Sequence, residues 1–195
     1  MIHSFDHSLN KGLSLQEKQS LCKLARETLQ HHFSDKMAVE ENDVLQHAPL
    51  LKKNPVFVTL WKQGYLRGCC GFMDSQITIV DAVKHLVLSS AFQDSRFPPL
   101  EEEELDEVVI EISVLTDPVP MKLVDDIMLG RHGLWVKHKG RSGVYLPQVA
   151  PECGWDKETF LCEVCLKAGL PGNTWKKGAE VLLFESVKFS EGLIL

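Results

Sequence analysis

Two strand-like runs, Val56-Phe57-Val58-Thr59-Leu60-Trp61 and Tyr65-Leu66-Arg67-Gly68-Cys69-Cys70, flank the turn pair Gln63-Gly64 and constrain the fold more than any other stretch. β-Branched and aromatic runs on either side of a glycine-containing turn specify a β-hairpin, so the chain must build an antiparallel sheet around it. Alternation on the return strand sets Arg67 and Cys69 on one face and Leu66 and Cys70 on the other. A guanidinium beside a thiol favours the thiolate, and Gly68 and Gly71 let a backbone or a ligand come close. Cys69 is therefore a candidate reactive or anion-contacting residue, with Arg67 as its activating cation.

Ser14-Leu15-Gln16-Glu17 fits a capping box and opens a helix expected over 15–32. Thr78 to Asp81 is a second such signature, for a helix to about Phe92 that ends in Gln93-Asp94-Ser95-Arg96-Phe97-Pro98-Pro99. The acidic run Glu101 to Glu104 reads as a solvated first helical turn after Pro99. Val108, Ile110, Ile112 and Val114 alternate with Val109, Glu111, Ser113 and Leu115 in the clearest strand, with one carboxylate, Glu111, in its middle. A short helix is expected over 124–129. Gly130-Arg131-His132-Gly133 turns into a strand over 134–138, and 139–143 connects it to a partner at Val144-Tyr145-Leu146. Asp156 caps a helix through Lys167, with Phe160, Leu161, Val164, Cys165 and Ala168 inward, and a last strand is expected over 180–189.

The chain has 195 residues, 44% of them hydrophobic and 25% charged, an ordinary soluble globular composition long enough for one sizeable core. A net charge of −6 argues against nucleic-acid binding, which relies on clustered Lys and Arg, although a local basic patch is compatible with it. No apolar run approaches the ~20 residues that span a bilayer, and residues 1–13 form a polar lead-in without a signal-peptide pattern, so a cytoplasmic location is expected. The six cysteines are then expected as free thiols.

Among candidate sites, Cys162 and Cys165 have the two-residue spacing of half a zinc site, yet Cys165 falls on the apolar stripe of its helix and no second pair can converge with it. Neither a metal nor another cofactor is expected. His132 is a chemically sensible base for Cys69, or else a turn hydrogen-bonder. Glu111 is a general base if it faces a cleft, and a solvated carboxylate otherwise.

Several ordered motifs resemble the AMMECR-type domain: Leu66-Arg67-Gly68-Cys69-Cys70-Gly71, Asp94-Ser95-Arg96-Phe97-Pro98-Pro99, Glu111-Ile112-Ser113-Val114-Leu115, Gly130-Arg131-His132-Gly133 and Tyr145-Leu146-Pro147-Gln148-Val149-Ala150. Cys165 to Pro171 with Trp175 is similar to the prokaryotic branch, AmmeMemoRadiSam system protein A. The resemblance implies an α+β fold, an antiparallel sheet flanked by helices in two unequal interleaved lobes with a cleft between them. It covers a single domain over 14–190, with 191–195 as a tail. It also implies a Memo-like protein and a radical S-adenosylmethionine protein as partners. On it, the expected function is a cysteine-dependent enzyme or substrate-handling subunit for a small molecule or peptide. Cys69, His132 and Glu111 would be its catalytic residues, and Arg67, Gly68, Gly71, Asp94, Arg96 and Phe97 would contact substrate. The alternatives are a non-catalytic protein-binding module and, third, a nucleic-acid-associated factor.

Overall fold

Ser14 accepts the Glu17 amide at its hydroxyl while the Glu17 carboxylate takes the Ser14 amide at 2.7 Å, so both ends of the capping box are made and α1 (Leu15–Phe33) begins where the sequence puts it. The computed structural model describes residues 13–34, 43–73 and 76–192; the lead-in up to residue 12 and the charged stretch 35–42 lie outside them. The described chain forms two compact units, an α+β fold with a four-stranded antiparallel sheet in each. The first unit holds residues up to Val114 and takes the chain back at Val187; the second is the stretch Leu115–Ser186.

In the first unit β1 (Val56–Lys62) and β2 (Tyr65–Phe72) form the expected hairpin, with Gln63 at φ +51° and Gly64 at φ +81° in the turn. Both values lie in the left-handed region that matches the twist of the flanking strands. α2 (Ile79–Phe92) follows, capped by the Thr78 hydroxyl, which accepts the Asp81 amide at 3.1 Å. β3 (Val108–Leu115) pairs with β1 on the side away from β2, so the strand order is β2-β1-β3-β8. One face of this sheet, bearing Val56, Val58, Leu60, Ile110, Ile112 and Val114, is buried with Leu21, Leu24 and Leu29 of α1 and Val83, Leu86 and Val87 of α2. Burying each such side chain stabilises by about 1.5–3 kcal/mol before ordering entropy is subtracted.

The second unit builds its sheet in the order β4-β7-β5-β6, from β4 (Val119–Pro120), β5 (Gly133–His138), β6 (Arg141–Tyr145) and β7 (Glu180–Phe184). Between β6 and β7 lie the short α3 (Val149–Glu152) and α4 (Lys157–Lys167), whose Phe160, Leu161, Val164 and Cys165 are fully buried with Leu134, Val136, Val181 and Leu183.

Four expectations need correction. The strand over 180–189 is two strands, β7 and β8 (Ser186–Ser190), in different sheets, divided at Glu185, whose amide and carbonyl are both held by Thr116. The connection after β5 is not five residues long: Lys139 and Gly140 make a two-residue turn with both φ positive, and β6 starts at Arg141. The helix over 124–129 shrinks to a 3-10 turn at Val124–Asp126, and α3 was not anticipated. The acidic run forms a 3-10 turn at Glu102–Glu104, and Glu104 is not solvated.

β8 returns the chain to the first sheet beside β3. There Glu191 accepts from Arg26 of α1, at 3.0 Å from Nε and 2.5 Å from Nη2, and from the Ile110 amide at 3.1 Å. Arg26 also donates to the carbonyls of Leu105 and Val108, so one guanidinium fastens the helix, the loop before β3 and the end of β8 together.

Candidate functional site

Two glycines place the Arg-Gly-Cys stretch, and neither is held open for a ligand. A Cβ on Gly68 would lie 2.0 Å from the Ser90 carbonyl oxygen, so α2 presses directly on β2 there. A Cβ on Gly71 would lie 2.2 Å from the ring of Phe57, its cross-strand partner. The Ser90 hydroxyl locks the approach, accepting the Cys70 amide at 2.9 Å and donating to the Val58 carbonyl at 2.8 Å. Cys70 packs against the core, where burial pushes its thiol pKa up.

Cys69 lies on the opposite face, half-buried, directly across from Thr59 of β1. The Thr59 hydroxyl donates to Cys69 Sγ at 3.3 Å. An O–H donor suits an anionic sulfur better than a neutral one, because a thiol is a weak acceptor. Thr59 also faces Glu111 of β3, so Cys69, Thr59 and Glu111 stand in one row across three strands. At ~4.8 Å per strand, the backbones of Cys69 and Glu111 are about 10 Å apart, with Thr59 between them. Glu111 forms an ion pair with Lys188 of β8 at 3.4 Å.

The loop after α2 clamps the outer edge of β2. The Cys69 amide donates to Asp94 Oδ2 at 2.9 Å, and Arg96 grips the same carboxylate from Nε at 2.9 Å and Nη2 at 2.6 Å. The Arg96 bonds, joined by the Cys69 and Arg96 amides, bring the Asp94 pKa down to about 2. Arg96 itself is 56% exposed, with Nη2 at 3.5 Å from the Cys69 carbonyl and the guanidinium 5.5 Å from the Phe97 ring centre. A cation, an aromatic ring and a thiol are thus gathered at one strand edge.

Arg67 is spent elsewhere. A register shift in the β1–β2 pairing sets Leu60 opposite Gly68 and Trp61 opposite Leu66, leaving Arg67 as the extra residue of a bulge. Its guanidinium lies bidentate on Glu104 and donates to the carbonyls of Pro98 at 3.0 Å and Pro99 at 3.2 Å. Lys62 also reaches Glu104 at 3.1 Å, and these partners, Arg67 foremost, bring the Glu104 pKa down to about 2. Glu104 and Thr59 are the residues that sequence reasoning missed; the only trace of Thr59 is a lone hydroxyl in an otherwise apolar strand.

His132 belongs to the second unit, where it is 4% exposed. Its Nδ1 accepts the Met128 amide at 3.2 Å and its own amide donates to the Met128 carbonyl at 2.8 Å, so it closes the turn ahead of β5. The accepting Nδ1 assigns the proton to Nε2, which lies 4.0 Å from Glu185 Oε1. Burial lowers the His132 pKa, against the pull of Glu185. Among the described residues no cluster of His, Cys, Asp or Glu has the geometry to hold a metal ion, and Cys165 is a buried core residue. No helix among them is long and apolar enough to cross a membrane.

Residues 22–189 match the protein family described as AMMECR1. The protein MK0488 of Methanopyrus kandleri is 40% identical over 193 residues, spanning 94% of this chain and 92% of its own. The protein Mbar_A1807 of Methanosarcina barkeri is 41% identical over 184 residues, 90% of each chain. The crystal structure of the uncharacterized protein PH0010 from Pyrococcus horikoshii matches with a TM-score of 0.83 at 36% identity, covering 91% of this chain and 92% of that one.

Proposed function

This chain belongs to the AMMECR1 family, and from that premise we propose that it is the A component of an AmmeMemoRadiSam-type system, a subunit that handles an anionic small molecule or peptide at Cys69. The observation that carries this reading is the donor set around that one residue. The thiol receives the Thr59 hydroxyl, the amide is fixed by Asp94, and the exposed Arg96 guanidinium lies against the carbonyl. Arg96 rather than Arg67 then contacts the anionic group: both are paired with a carboxylate, but Arg67 is 12% exposed with its donors taken up by Glu104, Pro98 and Pro99, whereas Arg96 is 56% exposed. Thr59 holds the sulfur, and Glu111 stands in the same row beyond it, paired with Lys188. The partners on this reading are a Memo-like protein and a radical S-adenosylmethionine protein.

A non-catalytic binding module is favoured by one observation, the exposed Arg96 beside the half-buried Phe97 ring, residue types that dominate interface energetics. Complementation in a host lacking its own copy, scored beside pull-down of the two partners, separates the readings. A catalytic Cys69 loses complementation in the Cys69→Ser and Cys69→Ala variants with partner capture retained. Full complementation by a stably folded Cys69→Ala variant, with capture lost instead in Arg96→Ala, would leave the binding module.

A further inference from the structure

The second unit carries a shallow groove of 470 Å³ at its β5–β6 hairpin, far in sequence from Cys69. The basic residues Lys137, His138, Lys139 and Arg141 border it with Trp135 and Ser142, and Glu180 is its single carboxylate; Trp135, Lys137 and Ser142 share one face of the sheet, while Arg141 reaches round to the Gly169 carbonyl on the other. Several cations elsewhere are neutralised: Arg26 by Glu191, Lys62 and Arg67 by Glu104, Arg96 by Asp94, Arg131 by Glu185, Lys176 by Glu158. Among the described residues Lys137, Lys139 and Arg141 form no ion pair with a carboxylate. In a chain of net charge −6 this is a local reversal of sign.

What Lys137 has instead is an aromatic face. Its Nζ lies 3.4 Å from the ring centre of Trp135, and the indole is itself fixed by donating from Nε1 to Ser142 Oγ at 2.6 Å. An indole face is a weaker partner for an ammonium than an anionic oxygen. Lys137 is therefore poised to move to an anion and uncover the ring. The platform is firm. β5 is paired on both sides, the turn that presents Lys139 has both residues at positive φ, and Arg141 is anchored through Nη1 to the Gly169 carbonyl.

We propose that this groove binds a nucleotide-sized phosphorylated ligand, its phosphates held by Lys137 and Lys139 and its ring laid on Trp135. The volume lies in the range of small-molecule sites and is too small for a duplex. The sign of the whole chain selects against a long polyanion, whose distant phosphates meet the surrounding acidic surface, while a compact phosphate group sees the local cations within a Debye length of ~8–10 Å.

The test is tryptophan fluorescence and calorimetry on the full chain with ATP, adenosine and inorganic tripolyphosphate, with Trp135→Phe assigning the signal among the four tryptophans. Saturable ATP binding is expected, weakened about tenfold, roughly 1.4 kcal/mol, by Lys137→Gln and by Lys139→Gly. The glycine suits the φ of +48° at that position, so the second variant keeps the turn. Absence of saturable ATP binding, or binding untouched by both variants, overturns the proposal. So does adenosine binding as tightly as ATP, which removes the phosphates, or tripolyphosphate binding as tightly as ATP, which removes the ring. A single-stranded oligonucleotide bound more tightly than ATP at the same salt assigns the groove to nucleic acid and overturns it as well.

Discussion

Arg67 and Glu104 form a two-point contact, Nε to Oε1 at 2.9 Å and Nη2 to Oε2 at 2.8 Å, with the carboxylate only 14% exposed. The cation beside Cys69 in the sequence is thus paired before it can act on the thiol. Arg67→Ala is expected to leave the alkylation rate of Cys69 within about twofold, because the guanidinium directs its donors to Glu104, Pro98 and Pro99 rather than to the sulfur. Glu104→Gln exposes that charge and is expected to cost about 2 kcal/mol in urea unfolding, the magnitude of a lost charged hydrogen bond. A marked slowing of alkylation in Arg67→Ala would show that the ion pair does not screen the thiol.

The acid limb of the stability curve should come largely from Asp94 and Glu104. Both carboxyls titrate at about 2 in the folded chain, below the ~3.9 and ~4.3 of unfolded Asp and Glu. Folded pKa values below unfolded ones mean stability that is complete above the unfolded values and lost as pH falls from about 4 to about 2. Denaturant midpoints measured across that window should fall steeply in the parent chain and less steeply in Asp94→Asn and Glu104→Gln.

His132 predicts a second, separate window. Burial lowers its pKa below the usual 6.5, so the unfolded chain takes up the proton first and stability falls as pH drops below about 6.5. An NMR titration should place its midpoint below that of an exposed histidine, with the proton on Nε2 at neutral pH. His132→Gln should flatten the stability profile between about pH 7 and 5. A midpoint at or above 6.5 contradicts the assignment.

Gly68 and Gly140 make a matched pair of alanine substitutions. Gly68→Ala drives a methyl to 2.0 Å from the Ser90 carbonyl, a backbone atom with nowhere to go, and should cost about 3 kcal/mol or abolish folding. Gly140→Ala meets nothing within 4 Å and carries only the strain of φ +78°, roughly 1–2 kcal/mol. Thermal unfolding of both variants checks the ranking.

The helices and the central hairpin were legible because their signals are local. Ser14 with Glu17, Thr78 with Asp81 and Asp156 with Thr159 cap where the sequence says, and Gln63-Gly64 turns as read. What failed depends on distant partners. Nothing within residues 180–189 says that Glu185 will be held by Thr116 and the strand divided between two sheets. The solvated reading of Glu101 to Glu104 failed at Glu104 because its partners, Lys62 and Arg67, lie 42 and 37 residues earlier. The place of Asp94 at the site was legible from its motif. That it holds the Cys69 amide, and that Thr59 holds the sulfur, depends on strand register and on the path of a loop.

The return of β8 to the first sheet sets the order in which that sheet can be completed during synthesis. Arg26 waits for Glu191, which is 165 residues later. After β3 leaves the ribosome, the remaining chain up to Glu191 takes on the order of ten seconds to be made at ~5–20 residues per second. Throughout that interval β3 has β1 on one side and an open row of amides and carbonyls on the other, next to a run of Val, Ile and Leu. An unpaired edge of that composition is a template for intermolecular strand addition. The nascent chain therefore passes through a period of high aggregation risk that the finished protein no longer has, and truncations that remove β8 should precipitate even where every element before it is intact.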